Sequence, residues 1–173
     1  PGTEKHLVEL SRLVSEQTLS SDMIVKLGLL PSEWKRSLAF GDTIGISPTT
    51  GHVGGALYHE MGHIIEGHNS AVNQAALAFR ARRTGGQKPV NLREYIGNPY
   101  LYQPDEEVLP DEFLLPYMGK VYPGSDDTEI VSVGLEYMRY HAEALAERDP
   151  DYFHFMYHLL RGNWDVLAKE KQP

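Results

Sequence analysis

The sequence predicts an α+β domain, mainly α with a small β-sheet, and three observations predict it. Apolar residues recur at three- and four-residue spacing in several long stretches, which is the helical period. Only Thr43-Ile44-Gly45-Ile46-Ser47 reads clearly as a strand, flanked by the turn formers Gly41-Asp42 and Pro48-Thr49-Thr50-Gly51. The composition, 41% hydrophobic and 23% charged over 173 residues, is that of a globular chain able to bury about 70% of its unfolded surface without covalent staples.

Taken in order, Leu7, Leu10, Leu13 and Val14 predict a helix from Thr3 to about Thr18, with Thr3 as its cap. Met23, Ile24 and Leu27 predict a second, short helix ending near Gly28, and Pro31-Ser32-Glu33-Trp34 has the form of the opening turn of a third. After the strand, a helix is expected from Val53 or Gly54 to Glu66, stopped by Gly67. Ser70 is the expected cap of the next, which turns Val72, Ala75, Ala76 and Phe79 inward and stops at Thr84-Gly85-Gly86. Pro99, Pro104, Pro110, Pro116 and Pro123 predict a long packed loop with short turns between Asn98 and Asp127. A strong helix from Asp127 to Glu147 follows, then a last one opened by Asp149-Pro150 and carrying Phe153, Met156, Leu159 and Leu160. Residues 1–173 read as a single domain, with 1–40 as an N-terminal helical part and 41–173 as the core. The opening at Pro1, without Met, suggests a piece of a longer or processed polypeptide.

Charge and composition exclude several classes. Lys plus Arg is 16 against 24 Asp plus Glu, a formal net charge of −8, so neither a phosphate backbone nor an anionic lipid surface is an expected partner. The basic cluster Arg80, Arg82 and Arg83 is short and reads as a solvated helix end. No apolar run approaches the roughly 18–20 residues of a membrane span, and the first residues form no signal peptide, so a soluble protein is expected. With no cysteine, thiolate metal sites and cysteine nucleophiles are excluded.

One motif stands out: His59-Glu60-Met61-Gly62-His63, an H-E-x-x-H pattern inside a predicted helix. Residues i and i+4 share a helix face, so both imidazoles reach one ion, and Glu60 lies where it addresses a metal-bound water rather than the metal. The pattern also arises by chance as a structural histidine pair. A catalytic zinc ion commonly takes three protein ligands, so a third is sought. The spacing of a third His six residues on fails, because that position is Asn69 and the glycine expected before it is Glu66. His68 would need a tight backward turn, and Glu66 sits a turn too far along the helix. Glu129, opening the apolar segment Glu129-Ile130-Val131-Ser132-Val133-Gly134-Leu135-Glu136, is the remaining candidate. A glutamate there equally complements a helix dipole. Glu136, seven residues on, either supports a ligand histidine or is a solvated charge.

With Glu129, His59-Glu60-x-x-His63 resembles the gluzincin arrangement of zinc metallopeptidases. Within that group it is most similar to the protease domain of anthrax lethal factor and the Pro-Pro endopeptidases, related domains of which occur with phage proteins and toxins. Tyr122-Pro123-Gly124 stands seven residues before Glu129, as a Tyr-Gly turn stands before the ligand Glu in that family, and Asp151-Tyr152-Phe153-His154-Phe155-Met156 resembles its final helix. The resemblance spans Ala56 to Arg161; Pro123 in place of the usual glycine, and the proline-rich loop before it, depart from the pattern.

The resemblance implies a zincin-like fold, one catalytic Zn2+ held by His59, His63 and Glu129, Glu60 as general base and Tyr122 as oxyanion donor, with Tyr117 as the alternative. It implies a zinc endopeptidase acting on protein or peptide substrates, as a toxin, effector or phage-associated domain. The Thr43–Ser47 segment would be the sheet edge that pairs with extended substrate. His52 would line the cleft, while His6, His141, His154 and His158 read as structural. A second reading is a non-catalytic interaction or capsid-associated domain stabilised by a metal; the glutamate beside the first ligand argues against it.

Overall fold

The computed structural model describes residues 3–169. Pro1 and Gly2, on which the reading of a processed start rests, lie outside them, as does the Thr3 side chain. The fold is mixed α+β, about half helix with small sheets, as expected. Helix α1 (Thr3–Leu13) buries Leu10, and Val14 beyond its end is buried too. The next two predicted helices are absent. Lys26–Leu29 is instead strand β1, and Pro31 to Trp34 forms turns leading to strand β2 (Leu38–Phe40). Both add to β3 (Thr43–Ile46), β1 in parallel with Lys26 opposite Thr43, β2 antiparallel with Leu38 opposite Gly45. Stretches this short carry no decisive periodicity, and ladder pairing with β3 overrides their local preference. A two-residue turn, Gly41-Asp42, joins β2 to β3, with Gly41 at φ 53°.

The predicted strand therefore lies in the middle of its sheet, in the order β1-β3-β2, and is not the edge. The edge facing the helices belongs to β2. Beneath it runs α2 (Val53–His68), whose Leu57, Tyr58, Met61, Ile64 and Ile65 are buried. Gly67 does not stop it: the helix runs on to His68, where Asn69 donates its N–H to the Ile65 carbonyl. Asn69, not Ser70, then caps α3 (Ser70–Thr84), its side chain accepting from the N–H groups of Ala71 and Val72. Helix α3 buries Val72, Ala75, Ala76 and Phe79 as expected, and Gly85 ends it at φ 55°.

A second sheet begins before the expected Asn98–Asp127 loop and continues through it. Strand β4 (Val90–Asn91), a short helix α4 (Leu92–Ile96), β5 (Glu107–Val108), a 3-10 turn at Pro116–Gly119 and β6 (Lys120–Val121) form it, in the order β4-β5-β6. The five prolines fall outside these two-residue strands, so they interrupt the region without excluding pairing. The arginine cluster fastens it. Arg80 donates to the Lys120 carbonyl at 2.8 Å, and Arg83 meets Asp111 at 2.7 Å and Asp149 at 2.8 Å, so these two are not a solvated helix end.

The long predicted helix breaks in two, α5 (Ile130–Tyr140) and α6 (Ala142–Arg148), because His141 adopts φ −142°. Helix α7 (Pro150–Leu160) has Asp149 as N-cap, and α8 (Trp164–Lys169) follows unpredicted. Helices α2 and α5 form the centre of the core. Gly62 sits where α2 meets the α5 backbone at Ser132, and the Tyr152 hydroxyl on α7 donates to the Ile130 carbonyl at the start of α5. Phe79 stacks on Phe155 with centroids 4.2 Å apart, joining α3 to α7. No described helix is long and apolar enough to cross a membrane.

Candidate metal centre

The buried face of α2 anchors the helix, and the opposite side carries His59 and His63 into a cleft of about 830 Å³. Helical periodicity alone aligns the two rings, 5.2 Å apart and nearly perpendicular. Glu129 comes from far along the chain. It is the residue before α5, 1% exposed, and because Gly62 lets α5 approach closely, its carboxylate faces both imidazoles. Glu129 Oε2 lies 3.3 Å from His59 Nε2 and 3.4 Å from His63 Nε2. One candidate ligand atom from each of the three residues lies within 4.8 Å of the others, the only such group of three or more among the described residues.

These separations test the fit to zinc. A tetrahedral ion with bonds of about 2.0–2.1 Å holds neighbouring ligand atoms about 3.3 Å apart. Two neutral imidazoles and a carboxylate are also the donor set that zinc takes while leaving a fourth position open. The residues fit the ion in spacing and in chemistry.

Glu129 and His59 are each met by a second group from behind. Ser132 Oγ donates to Glu129 Oε2 at 2.7 Å, and the Tyr122 hydroxyl donates to Glu129 Oε1. His59 Nδ1 lies 3.6 Å from Glu136 Oε2, an ion-pair distance, so Glu136 is not a free charge. A Cβ at position 55 would stand 2.6 Å from His52 Nδ1 and 2.8 Å from Glu136 Oε1, so a larger residue there would displace those side chains. Electrostatics follow the geometry. Burial disfavours the Glu129 anion, yet hydrogen bonding to the two histidines outweighs it and holds this carboxyl well below the usual range. Burial likewise disfavours the His59 cation, but Glu129 and Glu136 push its pKa up to about 10.

Glu60 is 6% exposed and lines the same cleft. Burial raises its pKa, and the charges of His59 and His63 oppose that rise. Glu66 points away from the ligands: its carboxylate accepts from Asn73 Nδ2 at 3.1 Å and Thr128 Oγ1 at 3.1 Å, tying α2 to the residue before Glu129. His68 pairs with Asp42 at 2.7 Å at the far end of the cleft, and His52 lines it as expected.

Tyr117 and Tyr122 both line the cleft beside Glu129. Burial, and then the Glu129 charge, push both phenols upward, so both stay protonated. Around Tyr117 lies a charged group with no pattern in the sequence to announce it. Arg36 Nη2 donates to the Tyr117 hydroxyl at 2.8 Å and Lys120 Nζ at 3.1 Å, while Glu106 bridges the cations, 3.2 Å from Arg36 and 2.9 Å from Lys120. Lys120 Nζ also lies 3.9 Å from Glu129 Oε1. Compared with protein-family models, curated proteins and solved structures, the chain matches none of them.

Proposed function

We propose that the chain is a zinc-dependent endopeptidase domain of the gluzincin kind, acting on protein or peptide substrates. The observation that carries this reading is the triangle of His59, His63 and Glu129, sized for zinc, with the buried carboxylate of Glu60 on the same cleft. A purely structural metal site has no use for a base beside its ligand.

When bound, zinc supplies Lewis acidity to a peptide carbonyl and lowers the pKa of a water toward neutrality. Glu60, anionic at the start of the cycle, accepts a proton from the attacking water and delivers it to the departing amine nitrogen. Its burial raises its pKa, the direction in which a carboxylate becomes a better proton acceptor. Glu129, Ser132 and Glu136 keep the imidazoles oriented. The carbonyl oxygen needs a hydrogen-bond donor as negative charge develops on it, and the resemblance assigns that task to Tyr122. Edge strand β2 supports the binding of extended substrate, since Leu38, Ala39 and Phe40 line the cleft and β3 occupies only one side of the strand.

The test combines metal analysis with digestion of a peptide library, with and without chelator, by wild type and Glu60→Ala. Wild type is expected to bind zinc and cleave in a chelator-sensitive manner, and Glu60→Ala to keep the metal and lose nearly all turnover. Zinc bound without chelator-sensitive cleavage of any peptide would instead support a non-catalytic, metal-stabilised domain.

A further inference from the structure

Away from the cleft, to which α7 contributes no lining residue, a second pair of imidazoles stands one turn apart on that helix. His154 is exposed and His158 half-buried, while Tyr152, Phe155, Met156, Leu159 and Leu160 bury the inner face of α7. The two Nε2 atoms lie 3.0 Å apart, with ring centroids at 4.4 Å and planes at 70°. Two nitrogens bound to one ion at about 2.0 Å stand about 2.8 Å apart at a right angle and about 3.3 Å apart at the tetrahedral angle. The observed separation falls between these values, so the pair is already spaced for neighbouring positions on a single ion.

A partner for the ligand form of His158 is also in place. An ion needs both Nε2 atoms bare, which puts the His158 ring proton on Nδ1. That nitrogen lies 3.1 Å from the Asn163 side-chain amide. The amide nitrogen faces it here; a half-turn of the amide presents the oxygen, which accepts from Nδ1–H and orients the ring as a ligand. Asn163 is itself fixed at the junction of α7 and α8. Its N–H donates to the His158 carbonyl at 3.0 Å, and its carbonyl accepts from the Val166 N–H at 3.1 Å in the first turn of α8. The Tyr157 ring meets His158 edge-on at 5.2 Å.

We propose that His154 and His158 form a second metal site, separate from the cleft, for a divalent transition-metal ion of the kind imidazole prefers, Cu2+ most tightly and Ni2+ or Zn2+ less so. Asn163 is a positioning residue there. With two side-chain ligands and water in the other positions, the site is weaker than the three-ligand centre and fills after it. An ion that bridges successive turns at the end of α7 stabilises the folded chain, because the unfolded chain does not hold the two rings together.

The experiment titrates protein saturated with zinc, then freed of excess metal, with Ni2+ by calorimetry. Wild type is compared with His154→Gln, His158→Gln and Asn163→Ala, and a melt of each in chelator checks folding. Wild type should take up one more Ni2+ than His154→Gln or His158→Gln, and Ni2+ should raise the Tm of wild type but not of those two variants. Asn163→Ala should keep the stoichiometry and bind Ni2+ about tenfold more weakly. His154 is exposed, so its replacement leaves the core intact even where a change at His158 loosens the helix end. Equal Ni2+ uptake by wild type and His154→Gln overturns the site, and unchanged affinity in Asn163→Ala overturns the part given to Asn163. Because each readout is a difference between wild type and a variant on α7, the result stands whether or not the cleft holds zinc.

Discussion

Gly62 occupies one of the two variable positions of the H-E-x-x-H motif, yet its environment leaves room for nothing larger. A Cβ there would stand 2.7 Å from the Ser132 nitrogen and 2.9 Å from the Val131 carbonyl carbon, and closer still to the Ser132 Cα. All three are backbone atoms of α5, which no rotamer change can move. In Gly62→Ala, α5 has to retreat by about 1 Å to reach ordinary contact. Overpacking of this kind costs about 1–3 kcal/mol, and at roughly 2–4 °C per kcal/mol for a chain of this length Tm falls by about 2–12 °C. The retreat also carries Ser132 and Glu129 away from His59 and His63. Metal–ligand bonds of about 2 Å do not stretch by that amount, so zinc affinity should fall by about tenfold or more. Gly67→Ala is the control in the same helix: nothing lies within 4 Å, and removing a helical glycine should add about 0.5–1 kcal/mol. Thermal melts and chelator competition on the two variants check the argument. A Gly62→Ala protein with wild-type Tm and zinc affinity would refute the close approach of α5 to α2.

Two further perturbations have signed outcomes. Burial pushes Glu66 up to about 7 against the lowering effect of Thr128 and Asn73, so between the ordinary value of 4.5 and about 7 the unfolded chain gives up a proton that the folded chain keeps. Stability therefore declines across that window and the loss is complete above it, at most about 3 kcal/mol. The difference in Tm between Glu66→Gln and wild type should shift in the variant's favour from pH 4.5 to 7.5 and then level off; a gap independent of pH would show that Glu66 ionises normally. Glu136→Ala removes the carboxylate 3.6 Å from His59 Nδ1 and should weaken zinc by about tenfold or more, read by the same chelator competition. Unchanged affinity would return Glu136 to the status of a surface charge.

The site was legible where its information is local. The spacing of His59 and His63 is a property of one helix, and the inward face of α3 follows from the same period. Elsewhere, local preference was a poor guide. The residues of β1 and β2 have a spacing that also fits a helix turn, and only the partner β3 makes them strands. The His141 break between α5 and α6 is invisible because both flanks are good helix formers. Lys120 and Arg36 were missed because each matters only through the hydroxyl and carboxylate that the fold sets beside it.

The order of residues alone dictates that two imidazoles and a neighbouring carboxylate project from one helix, because backbone hydrogen bonding sets the rotation per residue whatever surrounds it. It also determined an acidic, cysteine-free chain with a mainly helical core. It took the packing of the whole chain to set Glu129 against those imidazoles, to make β2 rather than β3 the sheet edge on the cleft, and to bring Arg36 and Lys120 onto the Tyr117 hydroxyl. The reason is the range of the interactions. A helix turn is specified within four residues, whereas the approach of α5 to α2 depends on every side chain packed between and behind them.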